Sequence, residues 1–424
     1  MKTKFLAAAI ATCFAVPVMA QSNVTVYGIA DDGLVKNTDQ AVRVASGIAS
    51  GSRLGVKGIE DIGNGYKATF TLEARVELDN GTQKPTLLSD EPGLYLTKGM
   101  DAFPVADLNK IRGLIQPKGV PGSNPTGALF DRTAMVGLET PGGTIQIGQM
   151  YTPAFELFLA ADVFGSGTGG NWGSITGGTA GFTSLGVDVR SAKSIQYRFS
   201  SPSGFGGSVM YGAKGSGHLT RYNKFYGIAT TYKANGWDVG VGHNRGYNQN
   251  DQASLVSSII GGSYTMGDYK FFAGYLDQRN RNSVLLPEYI GAYDGLVAPG
   301  VLARDGASIA ASLRNVFVTN ITSNSQLDAS SYQFGMHYRV GAGRFMASFA
   351  HQNDRTASNS DARLVGLGYD YDLSKRTDIY ASVSQIWNQN DGQYSPGSSG
   401  STGGFTKTPG ENVRAYQVGI RHRF

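Results

Sequence analysis

Downstream of residue 23 the chain alternates apolar with polar or small residues, one for one, in runs that each end in turn-forming residues. Tyr66, Ala68, Phe70, Leu72 and Ala74 fall on one parity, and Lys67, Thr69, Thr71, Glu73 and Arg75 on the other. Leu54 and Val56 stand between Arg53, Gly55 and Lys57 in the same way, and Val24, Val26 and Ile29 mark an earlier run. A period of two belongs to a β-strand with one greasy and one wet face. Further runs at 129–140, 143–151, 190–200, 204–214, 222–234, 235–244, 254–266, 267–278, 330–340, 343–353, 361–372, 375–388 and 413–424 bring the expected strands to sixteen. No stretch after residue 20 is apolar for long enough to cross a membrane as a helix. Nor is a three-four apolar period sustained anywhere.

The connections alternate short and long. Short ones include Asp61–Gly65, Pro141–Gly143, Ala234–Gly236, Met266–Asp268 and Gly341–Gly343, all rich in turn chemistry. Long ones are expected near 31–50, 79–128, 151–189, 279–329 and 389–412. An even strand count with loops long on one side only is the signature of a transmembrane β-barrel. Hydrocarbon offers no partner for a backbone N–H or C=O, so a sheet that spans it must close on itself. A water-soluble β-sandwich also alternates, but it seldom shows one-sided loops over so many strands. The reading is therefore all-β: a sixteen-stranded antiparallel transmembrane barrel with short periplasmic turns and long external loops.

Composition sharpens this picture. Lys2 and Lys4 precede an apolar stretch from Phe5 to Val18, and Val18-Met19-Ala20 offers a small-residue cleavage site, so residues 1–20 read as a signal peptide and 21–424 as the barrel domain. The one cysteine, Cys13, falls inside that leader, which leaves no disulfide, thiolate metal site or cysteine nucleophile. Without Lys2 and Lys4, the 37 basic residues become 35 against 32 acidic ones, too mild and dispersed a balance for nucleic-acid binding. Fifty-nine glycines accompany 22 tyrosines and 20 phenylalanines in one unbroken texture, with no domain boundary. Tyr27, Tyr197, Tyr211, Tyr232, Tyr369 and Phe424 lie at or near strand ends, suiting interfacial girdles. The last strand puts Tyr416, Val418, Ile420, His422 and Phe424 on one parity.

Several stretches taken together resemble the Gram-negative general porins, in the subfamily typical of beta-proteobacteria. They are Val24-Thr-Val-Tyr27-Gly28, the run from Gly51 to Asp61, Leu129 to Leu138, Gly148 to Pro153, Leu373 to Thr377, and the closing Gly419 to Phe424. The resemblance covers nearly all of the chain after the leader. It implies a homotrimer in the outer membrane, in contact with lipid and lipopolysaccharide, and a passive channel for small hydrophilic solutes and ions. It further implies a third external loop folded into the lumen, and a C-terminal Phe424 read by the barrel-assembly machinery. No cofactor and no enzymatic activity are expected. Where the family usually carries Arg before Tyr-Thr-Pro, this chain has Gln149.

The segment from Tyr151 to Val189 is the candidate constriction loop, with Glu156, Asp162 and a glycine-rich run from Gly165 to Gly181. Acidic groups there would shape the field across the channel. On the opposing wall the family places arginines, and Arg53, Lys57 and Arg75 fit by parity too. An Arg turned to lipid at mid-membrane would cost about 2–4 kcal/mol. Arg132 fits too, though its face also carries Ala134, Val136 and Leu138, whose small neighbours leave room for its side chain. An excess of cationic groups over acids predicts a modest anion preference.

Other signals are weaker. Gly165 to Gly170 reads G-x-G-x-x-G but lacks the strand before and helix after that a nucleotide fingerprint needs. The five histidines, at 218, 243, 337, 351 and 422, show no metal-ligand spacing. His243 and His351, with Asp354 nearby, are the best material for a hydrolytic rim site. A substrate-selective channel or an adhesin built on the long loops is the other alternative.

Overall fold

A computed structural model describes residues 23–83, 88–89, 91, 93–115, 127–176, 187–217, 221–397, 399 and 403–424. The expected signal peptide and its cleavage point lie outside them, as does His218. The strands are β1 (Asn23–Asn37), β2 (Arg43–Ser46), β3 (Arg53–Gly63), β4 (Tyr66–Arg75), β5 (Thr133–Thr140), β6 (Gly143–Tyr151), β7 (Arg190–Ser200), β8 (Phe205–Gly217) and β9 (Lys224–Ala234). They continue as β10 (Trp237–Tyr247), β11 (Ala253–Met266), β12 (Tyr269–Asn280), β13 (Leu327–Val340), β14 (Gly343–Asp354), β15 (Ala362–Asp372), β16 (Thr377–Asn388) and β17 (Val413–Arg423). Every pairing is antiparallel, and β1 pairs with β17 to close the ring.

The seventeen segments make sixteen wall strands. Both β2 and β3 pair with the same edge of β1, Ser46 opposite Asp32 and Arg53 opposite Ile29, so together they form one interrupted wall strand. The interruption, residues 47–52, is held by Asp31, whose carboxylate accepts from the backbone N–H of Ala49 at 3.0 Å and of Ser50. Much of the long loop expected near 31–50 is therefore strand, because β1 runs on to Asn37.

The alternation sorts the faces as the pattern predicts. Val24, Val26, Leu54, Val136, Ile147, Val241, Phe334 and Val418 are exposed on the outside, while Ser194, Gln196, Asn244, Gln278 and Gln417 are buried within. Tight turns join the strands at one end. Asn235 and Gly236 have φ of 54° and 84°, the doubly left-handed turn that matches strand twist and that only residues such as Asn and Gly enter readily.

Among the described residues four α-helices break the all-strand expectation: α1 (Val105–Ile115), α2 (Pro153–Ala161), α3 (Leu286–Leu296) and α4 (Ala298–Asn324), the last interrupted at Gly306 with φ 81°. Three of them lie in the stretches 79–128 and 279–329. A helical period is present there after all. Tyr289, Tyr293, Val297 and Val301 repeat every four residues, as do Leu313, Phe317 and Ile321, and all are buried. No helix among the described residues is long and apolar enough to cross a membrane.

Candidate functional site

The loop after β6 folds inward. Thr152 caps α2, its hydroxyl accepting from the Phe155 N–H at 3.4 Å, and Pro153 starts the helix where a missing N–H costs nothing. Asn244 on β10 holds this end, donating to the Thr152 hydroxyl at 2.8 Å and accepting from the Ala154 N–H at 3.3 Å. The helix then lies against the inner faces of β9 to β12. Glycines make room for it: a Cβ at Gly242 would stand 2.8 Å from Leu157 and 3.1 Å from the Ala154 backbone. Phe158 stacks on Trp172 at 5.0 Å, and the Trp172 indole donates to Ser331 on β13 at 3.1 Å.

Asp162 ties the turn that follows. Its carboxylate accepts from the backbone N–H of Phe164, Ser166 and Trp172, and from Gln333 on β13 at 3.1 Å. Burial pushes its pKa up to about 6, against three backbone N–H groups that favour the charged form. Beyond it the loop reaches the far side: Thr168 N–H donates to the Ile48 carbonyl at 2.7 Å, and Gly169 N–H to Gln417 at 2.6 Å. The G-x-G-x-x-G run is thus a docking tip on the interruption between β2 and β3, with no nucleotide geometry around it.

On the opposite inner wall stands a charged cluster. Glu73 on β4 receives Arg132 at 2.7 Å, Arg53 at 3.8 Å and the Tyr27 hydroxyl at 3.1 Å. Arg75 pairs with Glu77 at 3.0 Å and with Asp131 at 3.4 Å. Arg190 at the start of β7 donates to the Tyr151 hydroxyl at 2.9 Å and lies over its ring at 4.4 Å; Arg132 reaches the same hydroxyl at 3.3 Å. Lys57 sits 5.3 Å over the Tyr27 ring and is exposed to the lumen.

The structure therefore brings Arg53, Lys57, Arg75 and Arg132 together on one wall. Arg132 enters the lumen because it precedes β5: its parity with Ala134 and Val136 has no force outside the strand. Gln149 braces that backbone, its amide donating to the Asp131 and Arg132 carbonyls at 2.6 and 3.3 Å. The side chains of Arg75 and Arg132 are only 7% and 5% exposed, so they lock the wall more than they face water. Of the two loop acids, Glu156 is part-exposed and paired with Arg198 on β7. Asp162, expected to shape the field in the channel, is 1% exposed and instead holds the loop's own backbone.

Sequence reasoning missed Arg190 and the Glu73 hub. Arg190 lies on the parity of Ser194 and Gln196, so alternation alone points it inward, across the bulge at Lys193, whose φ is 50°. Glu73 appeared only as a neighbour on the face of Arg75. Tyr27, expected in a girdle, points into the lumen instead. His351 faces outward beside Tyr332, with ring centroids 5.4 Å apart. Asp354 is buried, accepting from the N–H groups of Thr356 and Ser360, so the two form no dyad. No cluster able to hold a metal ion occurs among the described residues.

Three comparisons bear on this arrangement. A family model described as Gram-negative porin matches residues 6–392. An outer membrane porin protein of Bordetella pertussis is 26% identical, with all of both chains covered. Among solved structures, an anion-selective porin from Comamonas acidovorans shares the fold at a TM-score of 0.64 and 20% identity, over 95% of this chain and 100% of that one. A trimer form of OmpT, an outer membrane protein of Vibrio cholerae, follows at 0.56 and 15%, over 95% and 99%.

Proposed function

Because this chain belongs to the Gram-negative porin family, a family of outer-membrane channels that are not enzymes, we propose that it conducts small hydrophilic solutes and ions by passive diffusion, with a modest preference for anions. The carrying observation is the charge balance on the wall facing the third loop. Four guanidiniums (Arg53, Arg75, Arg132, Arg190) and the Lys57 ammonium stand against the carboxylates of Glu73, Glu77 and Asp131. An anion at the lumen surface meets the exposed Lys57 and the part-exposed Arg53 first. The opposing loop offers little acid in return, since Glu156 is paired and Asp162 is buried. The Comamonas acidovorans porin, described as anion-selective, supports the same sign.

The channel works as a homotrimer in this reading. The outer faces of β1 to β6 present Val24, Val26, Leu54, Val136, Ile145 and Ile147, a mainly aliphatic surface with Tyr66 at its short-turn edge, suited to a flat protein contact. From β7 onward aromatic pairs ring the short-turn end: Phe205 with Tyr232 at 4.9 Å, Trp237 with Tyr264 at 4.4 Å, Tyr269 with Tyr338 at 4.7 Å, and Phe345 with Tyr369 at 4.7 Å. A girdle suits a lipid-facing wall, and its thinning over β1 to β6 supports a subunit contact there. Lipopolysaccharide surrounds the outer rim. Phe424, whose backbone exchanges hydrogen bonds of 3.0 and 3.2 Å with Gly28, presents an outward ring to the assembly machinery. Purified protein in planar bilayers tests the whole reading. Conductance steps grouped in threes, with a reversal potential of anionic sign in a salt gradient, are expected; single steps or a cationic sign contradict trimer and preference respectively.

A further inference from the structure

The described residues between β4 and β5 and those between β12 and β13 rise from opposite sides of the mouth, since eight of the sixteen wall strands separate their roots. They nevertheless share one dry core. Phe103 from the first meets Tyr293 from the second edge-on at 6.0 Å, and Tyr293 stacks on Phe317 at 4.3 Å. Polar ties cross the same seam: Arg304 to Asp107 at 2.7 Å, Asn320 to the Gly99 carbonyl at 3.1 Å, and Asn324 to the Lys98 carbonyl at 2.9 Å. The two loops therefore form a helical span across the full diameter of the barrel.

A second pair of loops braces that span, again from roots eight strands apart. From between β16 and β17, Phe405 packs on Tyr95 at 5.8 Å, Gln393 accepts from the Leu94 N–H at 2.6 Å, and Asp391 pairs with Lys98. From between β8 and β9, Arg221 pairs with Glu288 at 2.7 Å. A span held by buried aromatics at its centre and tied to four sides of the rim belongs to the stable end of the structure, unlike a loop that opens readily.

We propose that this roof is a fixed size filter placed ahead of the third-loop site: solutes enter through the openings between its attachments, so the roof sets the largest solute admitted. The inference rests on the channel reading and adds a second selective stage to it. An ion passes the openings with little hindrance, whereas a bulky sugar must match their width.

Proteoliposome swelling with arabinose and with the tetrasaccharide stachyose tests it. Replacing residues 286–324 by a short Gly-Ser linker should raise the stachyose-to-arabinose rate ratio at least about threefold, because the width limiting entry is removed. Phe317→Asp, which loosens the core without changing chain length, should raise it about twofold and serves if the deletion does not assemble. Heat-dependent mobility on gels verifies that each variant retains its barrel. An unchanged ratio in variants that conduct ions overturns the roof as a filter and leaves the channel intact. A wild-type protein that conducts no ions overturns the channel reading itself, and the filter with it.

Discussion

The half of the barrel from β1 to β7 and the half from β9 to β16 use the same strand geometry for opposite purposes. Inside, the first half carries arginines clamped by carboxylates, and the second carries glycines that seat a helix. Outside, β1 to β6 are mainly aliphatic, while Tyr197 and Phe199 on β7 open a run of aromatic pairs that continues through the second half. An alternating strand has two independent faces, so each half could be tuned inside for solute and outside for neighbour without disturbing the hydrogen-bonded wall. The difference teaches that the arginine cluster facing the third loop and the groove that seats its helix stand on separate walls. One sets the field, and the other positions the loop that narrows the passage.

The comparison is most severely tested at its hub. Glu73→Gln leaves Arg53 and Arg132 without their shared carboxylate in a site that is nearly dry, and removing one partner of a buried pair costs about 3–5 kcal/mol. Thermal dissociation should fall markedly, and the reversal potential of surviving channels should move further toward anions. An unaltered melting temperature would show that Glu73 is not the keystone of that wall.

Next comes the outer contrast. Val136→Arg places a charge on the aliphatic face at a cost of about 2–4 kcal/mol, and Phe334→Arg does the same on the aromatic half. Only the first should convert trimers to monomers on unheated gels. Equal loss of trimer from both would erase the distinction between the outer faces.

Smaller again is the effect on the loop's seat. Gly242→Leu drives a side chain into Leu157 and Ala154, and overpacking of this kind costs about 1–3 kcal/mol. Displaced from its groove, α2 should intrude on the lumen and lower single-channel conductance. The same substitution at Gly291 on α3, where a Cβ meets nothing within 4 Å, gives the reference for a glycine outside the groove.

The smallest change in stability is expected at Lys57. Lys57→Glu alters an exposed lumen charge and should leave stability within about 0.5 kcal/mol, yet shift the reversal potential toward cations. A selectivity that does not move would place the controlling charges elsewhere on the wall.

Period two was enough to count the wall strands, sort their faces and locate the tight turns, because in a barrel each of these follows from the local pleat and from the demand that every backbone group be paired. Arg53, Lys57 and Arg75 were legible for the same reason: each sits within a strand, where parity assigns a face. Tertiary structure decided what lies outside that repeat. Arg132 turns inward just before β5 begins. Asp162 leaves the water because backbone N–H groups from residues up to ten positions away converge on it. The helices of the roof were masked by a chain that otherwise alternates, since a short amphipathic helix is stabilised by the partner it packs on, and that partner rises from the opposite rim.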